Sequence, residues 1–120
     1  MFVNFSNHPS EKWEEKQINK ALEFGKITDI PFPDVSPEMS EDEIDDIAKD
    51  IVEKIVSLNP KAVMCQGEYT LSFNVSLRLL KKGINVVCAC SERCTIETQS
   101  GKNNMRNSLF SFVKFRKLEL

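Results

Sequence analysis

A chain of 120 residues, 41% hydrophobic and 28% charged, is long enough for one hydrophobic core and too short for two. Its net charge of −2 argues against a broad basic surface for duplex DNA or RNA, while leaving room for a small anionic ligand held by local donors. No charged-then-apolar leader opens the chain and no apolar run approaches a membrane span, so a cytoplasmic protein with no membrane partner is expected.

Met1 to Phe5 reads as a short strand leading into Ser6-Asn7-His8-Pro9. Ser10 stands where a helix cap belongs, with a helix body from about Glu11 to Phe24 and Gly25 as its stop. Trp13, Gln17, Ala21 and Phe24 share one side of it, which makes Trp13 a packing anchor. Ile27 to Phe32 is a second strand, and Pro31 and Pro33, which lack backbone donors, assign it to a sheet edge. The stretch from Asp34 to Asp50 carries the charge of an interaction tail. Its apolar residues Ile44, Ile47, Ala48, Ile51, Ile55 and Leu58 nevertheless recur at helical spacing, and Ser40 with Glu43 forms a capping box. The acidic run is therefore the solvated face of a second helix.

Asn59-Pro60 ends that helix, and Lys61 to Cys65 is a third strand whose unbroken apolar run fits burial on both faces. Gln66-Gly67-Glu68-Tyr69-Thr70 turns into a third helix ending at Lys81-Lys82-Gly83, and Ile84 to Cys90 is a fourth buried strand. After Ser91-Glu92-Arg93, Cys94 to Gln99 and Leu109 to Arg116 are extended arms around a polar loop, Ser100 to Asn107, expected to be the most mobile part of the chain. Cys65, Cys88, Cys90 and Cys94 lack the paired spacing of a zinc site, and His8 is far from them in sequence. Cys65, Cys88 and Cys90 lie in apolar stretches and read as small reduced hydrophobes, and neither a metal nor a cofactor is expected.

This order predicts one α/β, Rossmann-like domain over 1–120, with a parallel βα core over 1–93 and a C-terminal hairpin over 94–120. Right-handed crossovers place helices on both faces of a mostly parallel sheet of order 2-1-3-4. Chain direction then reverses between the first and third strands, and ligands bind outside the carboxyl ends of strands at such a switch point. Three polar turns at strand C-termini, Ser6-Asn7-His8, Gln66 to Thr70 and Ser91-Glu92-Arg93, should all meet at that edge.

The residue types there suit an anionic, hydroxyl-bearing ligand. Helix starts near Ser10 and Thr70 offer free N–H groups, Gly67 admits a close phosphate, and Arg93 adds fixed charge. Ser6, Asn7, Gln66, Tyr69 and Thr70 can bond sugars or base edges, while Ser91 can help hold the reacting groups in line. His8 belongs to the residue class that titrates near neutral pH; it serves as general acid or base, as a phosphate donor, or simply as a cap. Glu68 is the rival acid–base group, with a helix-dipole role as its alternative. Arg93 could equally pair with Glu68 or with Glu92 of a partner chain. No G-x-x-x-x-G-K-[ST] or G-x-G-x-x-G fingerprint is present, which argues against common nucleotide sites.

Taken together, the strand ending in Ser6-Asn7-His8-Pro9, the proline-bearing second strand, Val63-Met64-Cys65-Gln66-Gly67-Glu68 before a helix, Cys90-Ser91-Glu92-Arg93 and the closing aromatic run Phe110 to Arg116 resemble a known group. It is the small stand-alone CRISPR-associated ring nucleases of type III systems, related to domains that sense cyclic oligoadenylate. Where that family closes in Arg-Glu-Tyr, this chain has Arg116-Lys117-Leu118. The resemblance implies a homodimer enclosing one cyclic oligoadenylate, cyclic tetra-adenylate foremost. It also implies metal-independent cleavage to linear products ending in a 2′,3′-cyclic phosphate, which would switch off antiviral signalling. The competing expectation is a module that binds the cyclic oligonucleotide without cutting it. Receiver and flavodoxin-like readings lack their carboxylate cluster and their hydroxyl-rich phosphate loop, since Asn4, Ser6 and Asn7-His8-Pro9 stand in those places.

Overall fold

Strands and helices alternate along the chain in the computed structural model, which describes the backbone of residues 1–100 and 103–120 and the side chains of 1–93 and 110–120. The elements are β1 (Phe2–Ser6), α1 (Glu15–Leu22), β2 (Ile27–Pro31), α2 (Glu41–Leu58), β3 (Ala62–Gln66), α3 (Tyr69–Lys81), β4 (Val86–Ser100) and β5 (Asn103–Lys117). They form an α/β fold around one five-stranded sheet of order β2-β1-β3-β4-β5. The strands β2, β1, β3 and β4 run parallel, whereas β5 pairs antiparallel with β4. The sheet is thus mixed, and the four-strand order read from the sequence is incomplete: the last arm of the hairpin is a full sheet member.

Alternation along the strands sends side chains to opposite faces. Val3, Phe5, Val63, Cys65 and Val86 face α2 and α3, meeting Ile44, Ala48, Ile55, Leu71 and Leu79 in one buried cluster. Phe2, Met64 and Val87 face α1 and pack with Ala21, Trp13 and Phe115. Both faces are covered, which is why β1 and β3 are almost continuously apolar. Ser40 caps α2 by accepting from the Glu43 N–H at 3.2 Å, and Asn59 ends it in a left-handed conformation at φ +50°. Asp45 joins α2 to α3 by accepting from Asn74 (3.2 Å) and from the Arg78 guanidinium. These bonds, Asn74's first, hold its carboxyl down at about 2.

The first helix begins later than its sequence pattern indicates. Ser10–Lys12 forms only a 3-10 turn, Trp13 is extended at φ −74°, ψ 152°, and α1 starts at Glu15. Ser10 does not cap the helix, because its N–H and hydroxyl both donate to Asp29 Oδ2 on β2, at 3.1 and 3.0 Å. The stop at Gly25 has φ +112°, a conformation suited to glycine.

The hairpin departs furthest from expectation. Ser91-Glu92-Arg93 is not a turn: β4 runs straight through it, pairing Ser91 with Phe112, Glu92 with Ser111 and Arg93 with Phe110. A register shift at Cys90/Ser91 leaves Val113 as the extra residue of a bulge on β5. The amide of Phe112 beside the bulge donates to the Glu14 carboxylate at 3.2 Å, tying the start of α1 to β5. In the polar segment expected as a loop, Ser100 ends β4 and Asn103–Asn107 lie in β5; Gly101 and Lys102 fall outside the described residues. β4 pairs with β3 only through Val86 and Val87, so most of the ribbon is held by β4–β5 bonds alone. The radius of gyration accordingly reaches 16.8 Å, above the roughly 14 Å of a compact chain this long. Among the described residues no helix is long and apolar enough to cross a membrane.

Candidate functional site at the C-terminal edge of the sheet

Asn4 interrupts the apolar strand β1, is 1% exposed, and builds the turn that follows. Its Nδ2 donates to the His8 carbonyl (3.0 Å) and to Asp29 Oδ1 (3.1 Å), while its Oδ1 accepts from the Ser6 hydroxyl (2.6 Å). Because both Nδ2 partners only accept, the amide can face only one way. The Ser6 Oγ in turn accepts from the His8 N–H at 3.2 Å, and the Trp13 indole donates to the His8 carbonyl at 3.0 Å. The His8 main chain is therefore clamped from several sides. Its imidazole is exposed and makes no hydrogen bond among the described residues.

His8 borders two hollows. One, of about 500 Å³, is lined by His8, Lys12, Trp13, Gln66, Ser91 and Phe112 among others. The second, of about 540 Å³, is lined by Asn7, His8, Gln66, Gly67, Tyr69 and Ser72 among others. His8 and Gln66 border both. The Gln66 Oε1 accepts the Ala89 amide of β4 in a short bond, continuing the ladder where main-chain pairing with β3 stops. Its Nε2 is then left as a donor at the cavity wall.

Several residues singled out from the sequence have other duties. Ser6 is 5% exposed and its hydroxyl belongs to the Asn4 network, not to either hollow. Glu68 is the N-cap of α3: its carboxylate accepts from the Thr70 N–H (3.1 Å), the Leu71 N–H (2.9 Å) and the Thr70 hydroxyl (2.8 and 2.6 Å). Those bonds, the Thr70 hydroxyl's foremost, lower its pKa, so the group is an ionised cap. The N–H groups expected for an anion at Thr70 are taken by Glu68, as those at Ser10 are taken by Asp29. Gly67 owes its place to Phe32, whose ring would lie 2.4 Å from an added Cβ and which stacks on Phe5 with centroids 4.6 Å apart. Arg93 lies out on the ribbon with its guanidinium 5.9 Å over the Phe110 ring, and it lines neither hollow.

His8, Gln66 and Ser91 thus meet at one hollow, and Asn7, His8, Gln66, Gly67 and Tyr69 at the other, while Ser6, Glu68, Thr70 and Arg93 stand aside. Sequence reasoning passed over Asn4, Asp29, Ser72 and Phe73. The signal for Asn4 was available: a polar residue inside an apolar strand must find partners. Burial pushes the Cys65 thiol up to about 11, consistent with a hydrophobe's role. Among the described residues no three His, Cys, Asp or Glu side chains gather as metal ligands.

No curated protein and no solved structure matches the chain. A family sequence model does, over residues 1–116, nearly its whole length: the chain belongs to the Uncharacterized protein MJ1673 family.

Proposed function

We propose that the protein is a metal-independent ring nuclease that opens a cyclic oligoadenylate, with a homodimer enclosing the ring. The carrying observation is the His8 imidazole, unpartnered among the described residues, on a clamped main chain that borders two hollows at the switch point of the sheet. In the reaction the ribose 2′-oxygen attacks its neighbouring phosphorus as a base removes the 2′ proton. The 5′-oxygen leaves on the opposite side of the phosphorane and takes a proton from an acid. The product is a linear strand ending in a 2′,3′-cyclic phosphate, and no water is consumed. His8 serves one of these transfers; the second copy's His8 or solvent serves the other, because attack and departure lie on opposite sides. Holding the 2′-oxygen in line supplies several kcal/mol of the barrier reduction.

A second reading, a module that binds the ring without cutting it, has one observation in its favour. The N–H groups expected to stabilise a phosphorane, that of Ser10 and the first of α3, are occupied by Asp29 and Glu68. One experiment separates the two. Purified protein is incubated with cyclic tetra- and hexa-adenylate in EDTA, and products are read by mass spectrometry beside sedimentation with and without ligand. Linear cyclic-phosphate products and a dimer support the nuclease. Stable, bound, intact rings establish the binding module, and absence of binding overturns both.

A further inference from the structure

Tyr69 and Phe73 are the two large aromatics that α3 leaves uncovered, at 79% and 58% exposure. Their rings are nearly parallel, 20° apart with centroids at 6.4 Å, an offset stack standing over the hollow that His8 borders. Exposing two flat rings together forfeits burial that either could have had. The rest of the lining is largely polar. The Asn7 side chain makes no hydrogen bond among the described residues, and Gln66 has its Nε2 to spare once Oε1 is given to Ala89. Ser72, also in the lining, has its Oγ sealed from solvent without a hydrogen-bond partner, while the Cys65 thiol donates to the Ser72 carbonyl at 3.6 Å. A volume of about 540 Å³ lies in the range of small-molecule sites. Flat aromatic surface and amide donors and acceptors lining one hollow suit a group with a π-face and a hydrogen-bonding edge.

We propose that this hollow is a nucleobase subsite, taking a purine against Tyr69 with its polar edge toward Asn7 and Gln66. The ligand class rests on the cyclic-oligonucleotide reading, and the base subsite refines it. A base seated here would carry its sugar and phosphate toward His8, which borders the same hollow. Recognition would come from the base face, where no fixed charge is needed. The Tyr69–Phe73 pair also borders a hollow on its α2 side, with Asp45 and Arg78. The His8 side is favoured because the unpartnered amides are there.

The test is an amide NMR titration with adenosine 5′-monophosphate, beside ribose 5-phosphate as a base-less control, on wild type, Tyr69→Ala and Tyr69→Trp. The expected result is that the nucleotide shifts the amides of Gly67, Tyr69, Phe73 and Cys88 and that ribose 5-phosphate does not. Base stacking implies that Tyr69→Ala weakens binding by about 5- to 150-fold while Tyr69→Trp retains it. Tyr69 is largely exposed, so neither variant threatens the fold. Equal shifts with ribose 5-phosphate, shifts confined to the Asp45–Arg78 side, or undiminished binding by Tyr69→Ala would overturn the subsite. Failure of the nuclease reading shows separately, as nucleotide binding at Tyr69 with no cleavage of any cyclic oligoadenylate.

Discussion

Replacing Asn4 by alanine removes the buried amide that holds the His8 turn, and its cost follows from three bonds. The His8 carbonyl loses a 3.0 Å donor, a neutral bond worth about 1 kcal/mol, while the Ser6 hydroxyl loses its 2.6 Å acceptor but can turn to the His8 carbonyl at 3.2 Å. Asp29 loses a charge-assisted bond of 3.1 Å, worth about 1.5 kcal/mol because that carboxylate is exposed and keeps Ser10. The sum is about 2.5 kcal/mol, which at this chain length lowers Tm by roughly 8–12 °C. Urea unfolding at neutral pH measures it as a shift in midpoint at constant slope. Asn4→Asp sharpens the test, because it keeps the shape but replaces a donor by a second carboxyl facing Asp29. Like charge raises the folded-state pKa of the introduced carboxyl. The variant should therefore lie nearest wild type at acid pH and lose stability as pH rises through that raised pKa. A loss below about 1 kcal/mol for Asn4→Ala, or a deficit of Asn4→Asp that does not grow with pH, would refute the clamp.

His8→Ala should leave cyclic-oligonucleotide binding nearly intact and slow single-turnover cleavage by about 10²–10⁴-fold, the range of a lost general acid or base; cleavage at the wild-type rate would reduce His8 to a phosphate donor. Asp45 and Glu68 both have depressed folded-state pKa values, so their stabilisation is full above the unfolded carboxylate range and lost as pH falls. For Asp45 that loss should fall between the ordinary carboxylate value of 3.8 and about 2, and a Tm–pH profile of Asp45→Asn should be flatter there than wild type. Gly67→Ala should cost about 1–3 kcal/mol by driving a methyl into the Phe32 ring. A double-mutant cycle with Phe32→Ala, read by thermal unfolding, should recover most of that cost.

Legibility differed by element for physical reasons. In α2 the Ser40 cap, the isoleucine spacing and the Asn59 stop agree with one another, and the helix lies where they place it. The burial of β3 follows from its apolar run in the same way. The start of α1 was misplaced because Ser10, a good cap by type, gives its bonds to Asp29, and a single sequence does not disclose a partner in another strand. The ribbon was broken into arms and a loop because a two-stranded ladder is held by main-chain bonds, which leave little hydrophobic alternation to read. Ser91-Glu92-Arg93 looks like a turn by composition and is strand by pairing. At the site, the edge and the meeting of His8, Gln66 and Ser91 were legible from topology. The duties of Glu68 and Gly67 were not, since each depends on one neighbour: the Thr70–Leu71 amides and the Phe32 ring.

The carboxylates at this edge constrain where a phosphate can sit. Strand ends and helix starts always carry unpaired main-chain groups, so polar residues there are explained first by self-satisfaction. Asp29 fills the N–H of Ser10 and Glu68 fills those of Thr70 and Leu71, leaving negative charge where helix geometry alone would attract an anion. A phosphate approaching α3 would meet the Glu68 carboxylate instead of free N–H groups. The balance differs in the hollow bordered by Lys12 and His8, where the Glu14 carboxylate is engaged by the Phe112 amide. Lys12 supplies a positive charge there, beside a Glu14 carboxylate that keeps its negative charge while it accepts from that amide. The two hollows therefore differ in kind: the first carries charged side chains of both signs, Lys12 and Glu14, the Tyr69 side carries none, and His8 borders both, so on the nucleotide reading a phosphate would need Lys12 and the base would need only the Tyr69 side.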